Sequence, residues 1–168
     1  MIIKIRKFKE EDIPYKVSWI NNENNNRYLH YDLPLREDKT LTWYNNIKDR
    51  KDRLDCTITY CDKPIGLIGL LNIDLIKKRA EYYICIGDIN FKGKGVAYKA
   101  SNILLDYAFK TLCLNEVYLY TEKDNIPAQK LFEKLGFKKV KLLEKNLFYN
   151  NRYIDRYYYS LNMRNFNY

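Results

Sequence analysis

The chain has 168 residues, 46% of them hydrophobic, and a formal net charge of +9, which is enough for one well-buried core and lies within the usual range of a single domain. Its longest apolar stretch, Ile65 to Leu71, is interrupted by Gly66 and Gly69 and falls far short of the roughly 20 apolar residues that span a bilayer, so no transmembrane helix and no membrane partner are expected. Four cysteines (Cys56, Cys61, Cys85, Cys113) without a C-x-x-C pair, and His30 as the one histidine, leave no ligand set at zinc spacing and argue against a metal site.

The cysteines are expected to be reduced and mostly buried. Cys56 and Cys61 fall in one apparent strand at odd separation, on opposite faces, where a bridge would strain the geometry. The N-terminal Met1-Ile2-Ile3-Lys4-Ile5-Arg6 alternates apolar and basic residues, a strand signal without the apolar core and cleavage site of a secretory leader. A cytoplasmic protein is the expectation. The positive charge suits an acidic partner: nucleic acid, ribosome, a membrane surface or a phosphorylated cofactor. Lysines and arginines are interleaved with acids along the whole chain, which argues against a dedicated nucleic-acid binder.

Taken in chain order, Ile2 to Phe8 is a strand, and Glu10-Glu11-Asp12 with Pro14 opens a helix that runs through Trp19 and Ile20, because acids and an early proline suit a helix N-terminus. Asn21 to Asn26 is too polar for a buried element, and Arg27 to Pro34 reads as an ordered loop. A helix over Arg36 to Lys48 puts Leu41, Tyr44 and Ile47 on one face. Strands follow at Leu54–Cys61 and Ile65–Asp74 about the turn Asp62-Lys63-Pro64, then at Arg79–Gly87. From Val96, a helix places Ala100, Ile103, Leu104, Tyr107 and Ala108 on a sheet. Glu116–Thr121 is a strand, Pro127 sits in the first turn of a short helix with Ala128, Leu131, Phe132 and Leu135 as its stripe, and Gly136 closes it. Lys139–Phe148 and Arg152–Leu161 form the last two strands. This order predicts an α/β layered fold, a mixed sheet with helices on both faces.

The run Lys92-Gly93-Lys94-Gly95-Val96-Ala97 lies between a strand and a helix. There, glycines let backbone N–H groups approach a phosphate and the lysines add charge; a tight turn with solvated lysines is the plain alternative. The run lacks the Gly-Lys-Ser/Thr ending of a P-loop and the third glycine of a Rossmann fingerprint. After the next strand comes Asn125-Ile126-Pro127-Ala128-Gln129-Lys130-Leu131-Phe132-Glu133-Lys134-Leu135-Gly136-Phe137. Together the two blocks resemble the GNAT superfamily of N-acetyltransferases. Lys92-x-x-Gly95-x-Ala97 stands for the family's Gln/Arg-x-x-Gly-x-Gly/Ala, with lysine at the first place, and Asn125, Ala128, Leu131, Gly136 and Phe137 stand for its second block. Arg79 to Ile84 and Phe148 to Asp155 resemble the branch that holds ribosomal-protein, spermidine and amino-sugar N-acetyltransferases.

The resemblance implies a single domain with a mostly antiparallel sheet of about seven strands, splayed in the middle. It further implies acetyl-CoA as donor and direct attack by a primary amine, whether amino sugar, polyamine, other small amine or protein N-terminus. On this reading Lys92, Gly93, Lys94, Gly95, Val96, Ala97, Asn125, Ala128, Lys130 and Phe132 contact the cofactor, and the strand Ile84-Cys85-Ile86 supplies a backbone N–H to the carbonyl oxygen. Glu81 is the candidate base, with an ion pair to Arg79 or a lysine as its alternative. Many relatives carry tyrosine where Phe132 stands, to protonate the thiolate; here Tyr118 or Tyr120 takes that role, Tyr120 being preferred, or the thiolate leaves unprotonated. Tyr31, Asp32, Trp43 and Tyr149 are the candidate acceptor residues, although aromatics at such spacings also serve cores and Asp32 also suits a turn. His30 is expected to be solvated. Family members are often dimers, which leaves a homodimer open without fixing the oligomeric state, and a non-catalytic acetyl-CoA-binding or ribosome- or nucleic-acid-associated module is the alternative function.

Overall fold

The computed structural model describes residues 2–166. Its elements are β1 (Ile3–Lys7), a 3₁₀ turn at Glu10–Asp12, α1 (Ile13–Asn21), α2 (Glu23–Asn26), α3 (Glu37–Ile47), β2 (Leu54–Tyr60), β3 (Lys63–Asp74), β4 (Arg79–Ile86), α4 (Val96–Lys110), β5 (Glu116–Glu122), α5 (Ile126–Lys134), β6 (Lys138–Tyr149) and β7 (Arg152–Asn162). The strands form one seven-stranded sheet in the order β1-β2-β3-β4-β5-β7-β6. Every pairing is antiparallel except β4 with β5.

That parallel pairing is short. It joins Arg79 to Glu116, Ala80 to Val117 and Glu81 to Tyr118 and goes no further. Beyond it β4 stays paired with β3 as far as Ile86, and β5 stays paired with β7 as far as Glu122. The sheet therefore opens into a wedge whose closed end lies at Glu81 and Tyr118.

Alternation along the strands sorts side chains onto two cores. On one face Ala80, Tyr82, Val117 and Leu119 pack under Val96, Ala100, Leu104 and Leu105 of α4 and Phe132 of α5. On the other, Leu67, Tyr83 and Cys85 pack under Ile13, Trp19 and Ile20 of α1 and Leu41, Trp43 and Tyr44 of α3. A Cβ on Gly87 would lie 2.1 Å from the Trp19 ring, so the glycine permits α1 to seat against the end of β4.

Three local expectations change. The β2–β3 turn is Cys61-Asp62, both with positive φ (47° and 63°), while Lys63 and Pro64 pair with Tyr60 and Thr59 as the start of β3, a place where proline is tolerated. Cys61 thus lies outside the strand; it and Cys113 are exposed, and Cys56 is buried. The asparagine cluster contains α2, capped by Asn22, whose side chain accepts from the Asn24 N–H at 2.9 Å. Its polarity is satisfied because α2 buries none of its residues.

Candidate active site

On one side of the wedge lies the start of α4. Gly93 and Gly95 have φ of +70° and +75°, and a Cβ at either would meet nothing within 4 Å. Glycine is needed there for its left-handed backbone, and the space above both is open. Gly95 caps α4 without any side-chain bond. The helix begins its own bonding with Lys99 N–H to the Gly95 carbonyl at 3.1 Å, which leaves the N–H groups of Val96, Ala97 and Tyr98 at the helix start, where the dipole favours an anion. Lys94 is exposed beside them. The Lys92 ammonium turns away and donates to the Asn24 carbonyl at 2.8 Å, so the expected pair of lysines around a phosphate is reduced to one.

Ile84, Cys85 and Ile86 pair with Ile68, Leu67 and Gly66 on β3. On the edge facing the wedge, alternate N–H and C=O groups of this stretch have no strand partner. Ile84 and Ile86 pack towards α4 and Cys85 towards α1 and α3; burial pushes the Cys85 thiol up to about 11. The second block serves α5 itself. Asn125 is its N-cap, accepting from Ala128 N–H at 3.3 Å; Ala128 packs on the core, and Lys130 is exposed. Phe132 is 7% exposed, with Tyr82, Phe137 and Tyr159 at 6.1, 6.0 and 6.0 Å between centroids. It is a core ring in this structure, because its neighbours supply three aromatic edges and faces.

The other side of the wedge is the α1–α3 face. Glu81 and Tyr118 stand at the closed end, with Tyr120 beyond. Glu81 accepts from Asn72 Nδ2 at 3.0 Å, and Arg79 bonds Glu116 at 3.2 Å instead of Glu81. Tyr120 packs on Tyr118 and Tyr158 at 6.0 and 5.4 Å, and the Arg156 guanidinium lies 4.8 Å from its ring centroid. Burial pulls the Arg156 guanidinium down from its usual value, opposed by Glu81, Tyr120 and Glu122. At the open end, His30 Nε2 meets Glu122 Oε1 at 2.7 Å, with side chains 22% and 5% exposed. His30 is therefore not the solvated residue expected.

The acceptor candidates partly converge. Tyr149 donates its hydroxyl to the Tyr31 carbonyl at 2.6 Å and packs edge-on to His30 at 5.2 Å. Tyr31 and Trp43 both line the Lys16 ammonium, at 5.6 and 3.5 Å from their ring centroids. Burial raises the Tyr31 phenol to about 12 and lowers the Lys16 ammonium to about 8. Trp43 is committed to this cage and to Phe8, 5.7 Å away, while Asp32 is exposed. Lys16, His30, Glu122 and Arg156 are the residues that motif reading missed. The last two sit at the end of β5 and opposite it on β7, in register with each other, a juxtaposition that no local spacing encodes.

The acetyltransferase (GNAT) domain family matches residues 3–138. The chain belongs to the GNAT acetyltransferases. It is 31% identical over 154 residues to spermidine N(1)-acetyltransferase of Escherichia coli K12, covering 90% of this chain and 81% of the relative. It is 34% identical over 142 residues to the enzyme of the same name from Vibrio cholerae, covering 82% of each. The crystal structure of spermidine N-acetyltransferase from V. cholerae in complex with CoA and spermine matches with a TM-score of 0.89 at 27% identity, covering 97% of this chain and 96% of that one. This GNAT protein is an N-acetyltransferase that uses acetyl-CoA as donor, on the seven-stranded splayed sheet expected from its motifs.

Proposed function

We propose that the acceptor is a polyamine, acetylated on a primary amine that reaches the wedge from the α1–α3 face. The observation that carries this reading is the Glu81 carboxylate at the closed end of that face, which accepts from Asn72 and forms no ion pair among the described residues. A flexible polycation is held well by separated carboxylates, whereas an amino sugar, with hydroxyls around its amine, calls for a denser set of hydrogen bonds. Asp32 and Glu37, both exposed on the segment above, extend the acidic surface. Likeness to the spermidine acetyltransferases over most of the chain supports the same class.

The donor belongs on the opposite side. The N–H groups of Val96 and Ala97, opened by Gly93 and Gly95, suit the CoA diphosphate, with Lys94 adding charge. The free edge of β4 at Ile84 to Ile86 suits the pantetheine arm and offers an N–H to the carbonyl oxygen as negative charge develops. Holding amine and thioester together supplies much of the acceleration.

Release of CoA thiol from acetyl-CoA, measured over spermidine, spermine, an aminoglycoside, a nucleotide amino sugar, free amino acids and short peptides, tests the reading. Turnover is expected on spermidine and spermine above all others. Turnover confined to peptides or to amino sugars would overturn the polyamine assignment.

A further inference from the structure

We infer that His30 is the proton carrier of the transfer and that Glu122 positions it; the inference rests on the acetyl-transfer reading of the wedge. The argument begins with register. Cys85 lies four residues beyond Glu81, and Glu122 four beyond Tyr118, counted from the last β4–β5 pair. Both therefore stand about 13 Å from the closed end, on the same face by strand alternation. Cys85 is the middle residue of the stretch that offers its N–H to the thioester, so Glu122 lies across the wedge from the reacting carbonyl.

The chain segment between α1 and α3 spans this mouth. Asn25 Nδ2 donates to the Gly87 carbonyl just past β4 at 3.0 Å, and Tyr28 donates its hydroxyl to the Asp124 carbonyl just past β5 at 3.0 Å. His30 hangs from the segment two residues past the second tie, just before Tyr31, whose carbonyl is held by the Tyr149 hydroxyl at 2.6 Å. Its Nε2 contacts Glu122 at 2.7 Å, Tyr149 packs on its ring at 5.2 Å, and Arg152 approaches the other Glu122 oxygen at 3.9 Å. The charged and titratable groups around the pair are thus Glu122 of β5, Arg152 and Arg156 of β7, Tyr149 of β6, and Tyr31 beside it on the segment. An ionised carboxylate only accepts, so the ring hydrogen belongs on Nε2 and the lone pair on Nδ1. Nδ1 takes part in none of the hydrogen bonds among the described residues.

The proton balance follows. The acceptor ammonium gives one proton to Nδ1, and the neutral amine attacks the thioester carbonyl carbon. The C–N bond forms, the C–S bond breaks, and the nitrogen sheds its second proton to water. The imidazolium returns its proton to the departing thiolate, so ammonium and acetyl-CoA become acetamide, CoA thiol and one released proton. This supplies the proton that Phe132 cannot give, and it leaves Glu81 to hold charge on the acceptor.

Because His30 is the chain's one histidine, its ring nitrogens are directly readable by ¹⁵N NMR of the untagged protein. The Nε2–H tautomer is expected in the wild type near pH 8, and Glu122→Gln should abolish that preference. With spermidine as probe acceptor, His30→Gln is expected to lower kcat about 100-fold, within the usual range for a general base, leave acetyl-CoA affinity unchanged and remove the acidic limb of the pH profile. A folded wild type with Nδ1–H as its main tautomer overturns the pair whatever the activity. A His30→Gln variant with wild-type kcat and pH profile does the same. Absence of wild-type turnover on every amine instead strikes the acceptor reading, since the tautomer measurement does not depend on it.

Discussion

At the start of α4, Gly93 and Gly95 hold left-handed backbone in open space, and three helix-end amides face outward with little side-chain help. Across the sheet, the α1–α3 face carries charges that are nearly enclosed: Asp12 at 1% exposure, Lys16 at 7%, Asp55 at 7% and Glu122 at 5%. Asp12 takes two bonds from Arg6 at 2.7 and 2.8 Å and one from Thr57 at 2.7 Å. Asp55 takes two from Arg53 and one from Tyr83 at 2.6 Å. The start of α4 works through backbone shape, so its residues are replaceable wherever φ allows. The α1–α3 face works through buried side chains from distant segments, where removing one partner leaves another unsatisfied.

The largest effect on cofactor binding should come from Gly95→Glu. A side chain at this φ strains the turn by about 1–2 kcal/mol, and its carboxylate opposes an anion at the amides. Acetyl-CoA dissociation constants, measured by calorimetry, should rise about 100-fold, equivalent to about 2.7 kcal/mol, in a protein that still folds because the site is open. Unchanged affinity would mean that the donor is held elsewhere.

Asp12→Ala attacks the other side through stability. Burial alone would raise this carboxyl, yet the Arg6 guanidinium, the Lys9 amide and the Thr57 hydroxyl together hold it below the ordinary 3.8. A carboxyl depressed in the folded state stabilises above its unfolded value and loses that contribution as pH falls through the lower folded one. Urea unfolding at pH 7 should show a loss of about 3 kcal/mol, shrinking below pH 4. A loss independent of pH would assign the effect to packing.

Lys16→Met should have the smallest effect and the opposite sign. Burial lowers the folded ammonium from 10.5 to about 8, so between those values the unfolded chain binds more protons and wild-type stability rises with pH. The methionine variant should lack that slope and match or exceed wild type at pH 7 by about 1 kcal/mol. A clear loss would show that the cation inside the Trp43, Tyr31 and Phe8 rings is worth more than its desolvation.

The strands, the helices other than α2, and the helix start at Val96 were legible because period-two and period-3.6 patterns, Pro127 and Gly136 act within a few residues. The glycine turn before α4 was legible for the same reason, since left-handed backbone selects glycine locally. Misreadings fell where side chains had a choice of partner. Lys92 found the Asn24 carbonyl, Phe132 joined a ring cluster assembled from β4, β7 and the turn after α5, and Glu81 met Asn72 instead of Arg79.

The amino-acid sequence alone thus determined the layered fold, through hydrophobic period and short-range backbone preference, and the family, through the resemblance carried by its two motif blocks. Which groups face each other across the opening of the sheet was decided only in the tertiary structure. Residues 30 and 122 meet at 2.7 Å because the segment between α1 and α3 is tied to the ends of two separate strands, and contacts of that range depend on the whole packed sheet.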